Sequence, residues 1–340
     1  MKIGILSAGG DCPGINATIR GVGKAALTYG MEVIGVLDGY SGLIFNDFIP
    51  LDERSLSGIL TLGGTILGTS REKPFKKKEG DPIADKPQMI KQNCEKMGID
   101  CLVCIGGNGT QKTAAQLSEM GINVVGIPKT IDNDVWGTDI TFGFDTAVNI
   151  ATEAIDRLHS TANSHKRVMV IELMGHHAGW IALYAGVAGG GDVILIPERD
   201  YDIDKVNDVL LERMHKGKPY SIVVVAEGIK TGKKEEKTPV GAGAYIAEQI
   251  EKGTKIETRV TVPGYTMRGG SPSPFDRILA TRMGTEAASL IHKRDFGKMV
   301  AIHNNEMKSI PLNDVGGKIR LVPHDHFLIK KAKRIGTSFG

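Results

Sequence analysis

The sequence predicts an α/β protein with mostly parallel sheets and enough chain for about two domains. Short apolar runs alternate with stretches of helical periodicity along its 340 residues. Several runs, such as 168–171 and 222–225, are apolar at every position, which is typical of strands covered by helices on both faces. Because strands that alternate with helices pair in parallel, and because about nine strands are predicted, two layered sheets fit better than one.

The predicted elements follow one another with short connections. Strands are predicted at 2–7, 32–37, 101–105, 123–127, 168–173, 193–196, 221–226, 256–262 and 299–303. Helices are predicted at 88–97, 110–120, 147–158, 178–188, 203–214 and 276–291. The helix at 147–158 has the clearest pattern, since its apolar residues form one stripe and Glu153 and Asp156 lie off it.

Composition and charge exclude several classes of protein. Lys plus Arg is 42 and Asp plus Glu is 39, a net charge of +3, which is too balanced to predict nucleic-acid binding. The sequence has no run of 18 apolar residues, so no spanning helix is expected and no membrane partner. The first residues run straight into a strand-like stretch without the pattern of a signal peptide, so we expect a cytoplasmic protein.

Four cysteines occur in the chain, at positions 12, 94, 101 and 104. In a long chain with no export signal, reduced thiols are the expectation. Cys101 and Cys104 have the spacing of half a zinc site, but no second pair accompanies them and they would face opposite sides of a strand. No metal or redox role is therefore predicted for them.

Glycine is the unusual residue, with 44 in 340 positions, about 13% against an average near 7%. Glycine-bearing turns come directly after four predicted strands, at 9–14, 106–110, 126–134 and 174–179. Ligands of open parallel sheets bind outside the carboxyl ends of the strands, and helix N-termini attract anions. These turns therefore predict a phosphate-binding surface.

Two familiar nucleotide motifs are absent from these turns. Residues 106–113 read GGNGTQKT, with Gln111 where a P-loop needs the glycine before its lysine. No G-x-G-x-x-G follows the first strand, which argues against a dinucleotide-dependent dehydrogenase. The phosphates would be held by another arrangement.

The most distinctive site is the segment 129–134, which reads KTIDND. Asp132 could accept a hydroxyl proton while the oxygen attacks phosphorus, and Asp134 could orient Asp132 or help to hold a divalent metal. Lys129 supplies a cation beside the pair, which suits a phosphoryl group. An equally good interpretation from composition alone is a turn whose Asp and Asn side chains cap backbone N–H groups.

Arginines in glycine-rich surroundings form the next group of candidates: Arg71, Arg167, Arg259 and Arg268. The planar guanidinium binds phosphate through two hydrogen bonds, although each of these arginines alone is more often part of a surface ion pair. Glu227 ends a predicted strand, where a carboxylate could bind sugar hydroxyls.

In combination, these motifs resemble those of the 6-phosphofructokinases, from residue 3 to about residue 305. The segments that carry the resemblance are 9–16, 38–43, 63–71, 106–110, 128–134, 174–175, 226–228, 257–259 and 268–272. The family implies two doubly wound, Rossmann-like lobes with the active site in the cleft between them. The phosphoryl-donor lobe would comprise 1–143 and about 267–303, and the sugar-phosphate lobe 144–266 and about 304–340.

The resemblance also implies an activity, phosphoryl transfer from ATP with Mg²⁺ to the 1-hydroxyl of fructose 6-phosphate in glycolysis. Asp132 matches the catalytic base, with Thr130 and Asp134 beside it. The positions that match the donor side are Gly10, Tyr40, Arg71, Gly107, Asn108, Gly109 and Thr110. Those that match the sugar-phosphate side are Thr130, Ile131, Asp132, Arg167, Met174, Gly175, His176, Glu227, Arg259, Tyr265 and Arg268. Arg167 and Arg259 would reach across from a neighbouring subunit, which implies a homo-oligomer.

The sequence departs from the family pattern at four site positions. Asn108 replaces an aspartate associated with Mg²⁺, so its amide oxygen is a weaker metal ligand. His176 replaces an arginine that neutralises the transferring phosphoryl group, and Lys129, which replaces a glycine, could restore that charge. Tyr265 replaces a histidine, and its hydroxyl can still donate to the sugar phosphate.

Two positions bear on the identity of the phosphoryl donor, and they indicate different donors. Members that use pyrophosphate resemble one another in an aspartate at the position of Gly109 and a lysine at that of Lys129. Here the open glycine permits ATP and the lysine does not forbid it, so ATP is the expected donor and pyrophosphate the alternative.

Other interpretations remain open on sequence alone. A kinase for a related sugar such as sedoheptulose 7-phosphate fits the same motifs, and a non-catalytic phosphate-binding protein fits the departures at Asn108 and His176. Near the family's effector pocket, Arg20 and Lys24 keep positive charge, but Glu53 replaces a basic residue. Weak or absent activation by a nucleoside diphosphate is therefore predicted.

Overall fold

A computed structural model describes residues 1–76, 83, 85–231 and 241–340. The strands are β1 Lys2–Ala8, β2 Glu32–Val36, β3 Phe48–Pro50, β4 Cys101–Gly106, β5 Val124–Pro128, β6 Val168–Leu173, β7 Val193–Leu195, β8 Ser221–Ala226, β9 Thr258–Thr261, β10 Lys298–His303 and β11 Glu306–Pro311. The helices are α1 Ile15–Thr28, α2 Tyr40–Phe45, α3 Lys86–Met97, α4 Asn108–Glu119, α5 Phe144–His165, α6 Trp180–Ala188, α7 Ile203–His215, α8 Ala242–Thr254, α9 Pro274–His292, α10 Leu312–Val315 and α11 Phe327–Arg334. Short 3₁₀ helices occupy Ile59–Thr61 and Gly264–Arg268.

The chain divides into two compact units. The first unit comprises Met1–Asp145 with Arg268–Arg320, and the second comprises Thr146–Met267 with Leu321–Gly340. Each has a mostly parallel sheet accompanied by helices, so the predicted α/β class is confirmed. The sequence analysis placed residues 304–320 in the second lobe, but they belong to the first unit. The reason is that β11 pairs antiparallel with β10.

The sheet of the first unit has the strand order β11-β10-β5-β4-β1-β2-β3. Its central strands pair in parallel, and the edge strands β3 and β11 are antiparallel to their neighbours. Every residue of β4 and β5 is buried, as expected for strands covered on both faces. The carboxyl ends of β1, β4 and β5 therefore lie side by side at one edge of the sheet.

The sheet of the second unit has four strands in the order β7-β8-β6-β9, all parallel. The central strands β6 and β8 are in register from Val168 opposite Ser221 to Leu173 opposite Ala226. The turns that follow these two strands therefore leave the same end of the sheet, next to each other.

The main helix missing from the sequence prediction is α1, which packs along α9. It contains Gly21 and Gly23, and glycine has a low intrinsic preference for helix. The reason for one of these glycines lies in the packing, since a Cβ on Gly21 would lie only 3.0 Å from the carbonyl oxygen of Thr281 in α9. The predicted helix at 276–291 is confirmed as α9, Pro274–His292.

All four cysteines are buried and carry free thiols. Burial raises the pKa of Cys94 and of Cys104 to about 12, so these thiols stay protonated at neutral pH. In the part of the chain that the structure describes, no helix has both the length and the apolar character needed to cross a membrane.

Candidate functional site

One cavity of about 620 Å³ lies in the first unit, where the turns after β1, β4 and β5 meet. Its walls contain most of the residues that the sequence assigned to the phosphoryl donor and to catalysis. From that set, the lining residues are Gly10, Tyr40, Arg71, Gly107, Asn108, Gly109, Thr110, Lys129, Thr130 and Asp132, and the cavity is also lined by Ile131 and Arg268. Arg268, which the resemblance assigns to the sugar phosphate, thus lines the same cavity as the residues assigned to the phosphoryl donor.

The donor turn is the N-terminus of α4, which begins at Asn108 directly after β4. The first N–H groups of a helix have no intrahelical partner and carry partial positive charge, and Gly107–Thr110 place them on the cavity wall. A Cβ at Gly109 would meet no atom within 4 Å. The space beside the turn is therefore open to a bulky phosphate chain.

Two buried side chains fix the base of this turn. Tyr40 is buried and its hydroxyl donates to the carbonyl of Thr110 at 2.9 Å. Gln111 is fully buried, and its Nε2 donates to the carbonyls of Gly106 and Ile127, both at 2.9 Å. Since these carbonyls end β4 and β5, Gln111 joins the donor turn to the turn that carries Asp132.

Cationic side chains converge on the cavity. Lys129 is buried, and its Nζ donates to the carbonyl of Gly10. Burial lowers the pKa of Lys129 below that of an ordinary lysine. A Cβ built on Gly10 would lie 3.0 Å from a guanidinium nitrogen of Arg268, so Lys129 and Arg268 both approach the turn after β1. Together with Arg71, they make the cavity suitable for a polyphosphate.

The turn that carries Asp132 is held by its neighbours. The backbone N–H of Asp132 donates to Thr130 Oγ1 at 3.1 Å, and Thr141 Oγ1 donates to the carbonyl of Thr130 at 2.8 Å. Asn133 has a positive φ of 53°, and its Oδ1 accepts the backbone N–H of Thr141 at 3.0 Å. Of the two roles that the sequence left open, Asn133 caps the backbone while Asp132 lines the cavity.

Asp134 does not line the cavity but contacts the donor turn through Asn108. Asn108 Nδ2 donates to Asp134 Oδ2 at 2.9 Å. The Oδ1 of Asn108 is buried and has no hydrogen-bond partner in the described structure. An unpaired oxygen beside a carboxylate suits a hard cation such as Mg²⁺. No group of three or more His, Cys, Asp or Glu side chains that could hold a metal occurs among the described residues.

In the second unit, one group of predicted residues lies after β6 and β8. Glu227, directly after β8, accepts the backbone N–H groups of Gly175 at 3.3 Å and of His176 at 2.8 Å. His176 itself has a positive φ of 52° and an exposed side chain. Met174, Gly175, His176 and Glu227 thus form one surface at the carboxyl end of the sheet.

A second group lies at the opposite end of the same sheet. Arg167 directly precedes β6, and Arg259 pairs with Met169 near the start of that strand. Both arginines form ion pairs with Glu257, and the distance from Arg167 Nε to Glu257 Oε2 is 2.7 Å. The hydrogen bond from Arg167 lowers the pKa of Glu257. Six residues of β6 separate this group from the turn at 174–179, roughly 20 Å at about 3.3 Å per residue.

Sequence reasoning missed part of the cavity wall, including Lys73, Phe75, Lys112, Thr113 and Gln116. Positions 109, 112, 113 and 116 follow the spacing of one helix face, so the periodicity of α4 could have indicated the last three. Tyr265, which was predicted to contact the sugar phosphate, is 73% exposed.

Comparison with known proteins gives the family of this chain. The model of the Phosphofructokinase family matches residues 2–291. A protein of Bacteroides thetaiotaomicron named ATP-dependent 6-phosphofructokinase 3 is 62% identical over 341 residues, covering 100% of both chains. A Streptomyces coelicolor protein named pyrophosphate–fructose 6-phosphate 1-phosphotransferase is 47% identical, covering 95% of this chain and 96% of its own. The structure also resembles the T-state crystal structure of Pichia pastoris phosphofructokinase, with a TM-score of 0.84 and 32% sequence identity. The matched region covers 92% of this chain and 35% of the Pichia pastoris chain.

The chain therefore belongs to the phosphofructokinase family, and the resemblance found in the sequence motifs is confirmed.

Proposed function

We propose that the protein is an ATP-dependent 6-phosphofructokinase of glycolysis, which converts fructose 6-phosphate and ATP to fructose 1,6-bisphosphate and ADP. The observation that carries this proposal is the single cavity in which Asp132 faces the cations Lys129 and Arg71 and the N-terminus of α4. The full-length relative at 62% identity, named for the same activity, supports it.

In the proposed mechanism, Asp132 accepts the proton of the sugar 1-hydroxyl as its oxygen forms a bond to the terminal phosphorus of ATP. The bond from that phosphorus to the bridging oxygen breaks, and ADP leaves with the electron pair. Lys129, Arg71 and the N–H groups of the donor turn stabilise the negative charge that develops on the phosphoryl oxygens. The hydroxyl of Thr130 accepts the backbone N–H of Asp132 and so helps to hold the turn that carries the base.

We further propose that Mg²⁺ enters with the phosphates of the donor. Asn108 Oδ1 would be the ligand from the protein, because it is buried beside the donor turn and otherwise unpaired. The bound ion would neutralise phosphate charge. Asp134 keeps the amide of Asn108 in this orientation, since Nδ2 rather than Oδ1 must face a carboxylate.

Residues of the second unit are assigned to the sugar phosphate. Glu227 and the turn 174–176 would bind the sugar, and Tyr265 its phosphate. Arg167 and Arg259 lie at the other end of the sheet, which supports their acting on the site of another subunit of a homo-oligomer. His176 carries less charge than an arginine near pH 7, and Lys129 would compensate. A cytoplasmic location fits these substrates.

Pyrophosphate is the second candidate donor, and a specific observation favours it. Lys129 is buried against the donor cavity, and one relative at 47% identity is named for pyrophosphate. The open space beside Gly109 favours ATP, because a side chain there would crowd the α-phosphate.

Steady-state assays test these alternatives, with ATP and pyrophosphate compared at equal Mg²⁺ and fructose 6-phosphate and sedoheptulose 7-phosphate compared as acceptors. We expect kcat/KM to be highest for ATP with fructose 6-phosphate. Gly109→Asp should reduce turnover with ATP more than with pyrophosphate. Lys112→Met is the control, because it also changes the cavity wall on α4 but should not favour one donor over the other. Faster turnover with pyrophosphate than with ATP would contradict the assignment of the donor, and no turnover with any pair would favour a binding protein.

A further inference from the structure

The turn that carries Asp132 is contacted by a residue far along the chain. The backbone N–H of Arg320 donates to the carbonyl of Asp134 at 2.8 Å, and its Nη1 donates to the carbonyl of Asn133 at 3.0 Å. The preceding residue, Ile319, forms an antiparallel bridge with Val135. The segment before Arg320 thus runs alongside the end of the catalytic turn.

Arg320 completes the hydrogen bonding of this part of the turn. Asn133 has a left-handed backbone, with a φ of 53°, a conformation that asparagine tolerates better than most other residues. Asn133 and Asp134 are both buried, and a buried carbonyl left without a donor is costly. Arg320 supplies a donor to each of the two carbonyls, and its side chain serves that of Asn133. The carbonyl of Asp134 also accepts a bond from Asn108 Nδ2 at 3.3 Å.

Asp134 is consequently held from two sides. Asn108 Nδ2, in the donor turn, donates to its carboxylate, and the backbone N–H of Arg320 donates to its carbonyl. Asp132 is two residues away, and Arg320 is not among the residues that line the cavity. Any movement of Asn133 would be transmitted to Asp132 through a single peptide unit.

We propose that Arg320 is a positioning residue for phosphoryl transfer, whose side chain holds the carbonyl of Asn133 and thereby aims the Asp132 carboxylate. This inference rests on the proposed function, in which Asp132 is the base. Its effect is on the geometry of the base, so it should act on kcat and leave the binding of either substrate nearly unchanged.

The test compares Arg320→Ala with a matched arginine. Arg282 donates to the carbonyl and to the side chain of Asn305, another residue with positive φ, at 65°, but in the turn between β10 and β11. Because a small misplacement of a catalytic group can cost about 100-fold in rate, we expect Arg320→Ala to lower kcat by about that factor while both KM values change less than about 3-fold. Arg282→Ala should keep kcat within about 2-fold.

Two further measurements separate positioning from a general loss of stability. Added methylguanidinium should restore part of the kcat of Arg320→Ala, and should not restore Asp132→Asn. Hydrogen exchange of the amides in 130–141 should accelerate in Arg320→Ala and remain unchanged in Arg282→Ala. If Arg320→Ala fails to fold, Arg320→Gln, which keeps a donor, is judged by the same exchange and kinetic criteria.

An unchanged kcat, a loss confined to KM, or unchanged exchange across 130–141 would each overturn the role of Arg320. Full activity of Asp132→Asn would instead overturn the assignment of the base, while the exchange result would still report on the support of the turn. The two failures are therefore distinguishable.

Discussion

The residues assigned to the phosphoryl donor and those assigned to the sugar phosphate are arranged in different ways. In the first unit, the donor residues and Asp132 line one cavity, because parallel strands bring the turns after β1, β4 and β5 together. In the second unit, Glu227 and the turn after β6 lie at one end of the sheet, and Arg167 and Arg259 lie at the other.

This difference indicates how complete each set of residues is within a single chain. The donor residues need only the fold of the first unit. The sugar-phosphate residues are separated by the full length of β6, roughly 20 Å, which is too far for one sugar phosphate to contact both groups. A homo-oligomer in which arginines serve a neighbouring chain would resolve the separation.

Replacing the base tests the first unit and should have the largest effect. Asp132→Asn removes the proton acceptor but keeps the shape of the side chain, so kcat should fall by roughly 10²–10⁴-fold with little change in either KM. Asp139→Asn is the control, because Asp139 is an exposed carboxylate of the same unit that pairs with His303. A kcat for Asp132→Asn equal to that of the control would show that another group takes the proton.

Replacing Arg259 tests the second unit. Arg259→Ser should raise KM for fructose 6-phosphate by roughly 10–150-fold, the range expected for losing hydrogen bonds to a charged group, with KM for ATP nearly unchanged. Arg157→Ser, which breaks an exposed ion pair with Glu153 on α5, should change KM less than about 2-fold. Equal effects of the two variants would remove Arg259 from the site.

Mixing the two impaired variants, assayed at a fructose 6-phosphate concentration far below the KM of Arg259→Ser, then decides whether Arg259 serves its own chain. Hybrid oligomers of Asp132→Asn and Arg259→Ser chains can form sites with an intact base from one chain and an intact arginine from another. We therefore expect activity of the mixture, after dissociation and reassembly, to exceed the sum of the two separate preparations. No recovery in hybrids whose mixed composition is verified by mass would place both residues in one chain's site.

The pH dependence of donor binding provides a smaller test of the first unit. Burial lowers the pKa of Lys129, and only the protonated amine attracts phosphate. KM for ATP should therefore rise with pH at values below the ordinary lysine pKa of about 10.4. Lys129→Arg should lose this rise, because arginine stays charged. A rise that persists in Lys129→Arg would assign the titration to another group.

The smallest effect is expected for ADP as an activator. Glu53 is an exposed carboxylate where the family has a basic residue, and it would repel a diphosphate. The half-saturating fructose 6-phosphate concentration should shift less than about 2-fold with ADP, and Glu53→Arg should enlarge the shift. A large shift in the unchanged protein would contradict this prediction.

Sequence patterns predicted what depends on local order. The apolar runs at 168–171 and 222–225 gave β6 and β8, and the glycine turns after strands gave most of the cavity wall, because parallel strands place successive turns at one edge. The short edge strand β3 was missed, since its residues are partly exposed and show no distinct period. Contacts between distant positions were also missed, and Arg320 is the clearest case, because no pattern around it indicates a partner 187 positions away.

That distance in sequence has a consequence for synthesis. At roughly 5–20 residues per second, a ribosome adds the residues between Asn133 and Arg320 in roughly 10–40 s. During that interval the nascent chain already contains the turn at Asn133, but the arginine whose side chain donates to it has not been made. The contact at Asn133 therefore cannot form until the ribosome has passed residue 320.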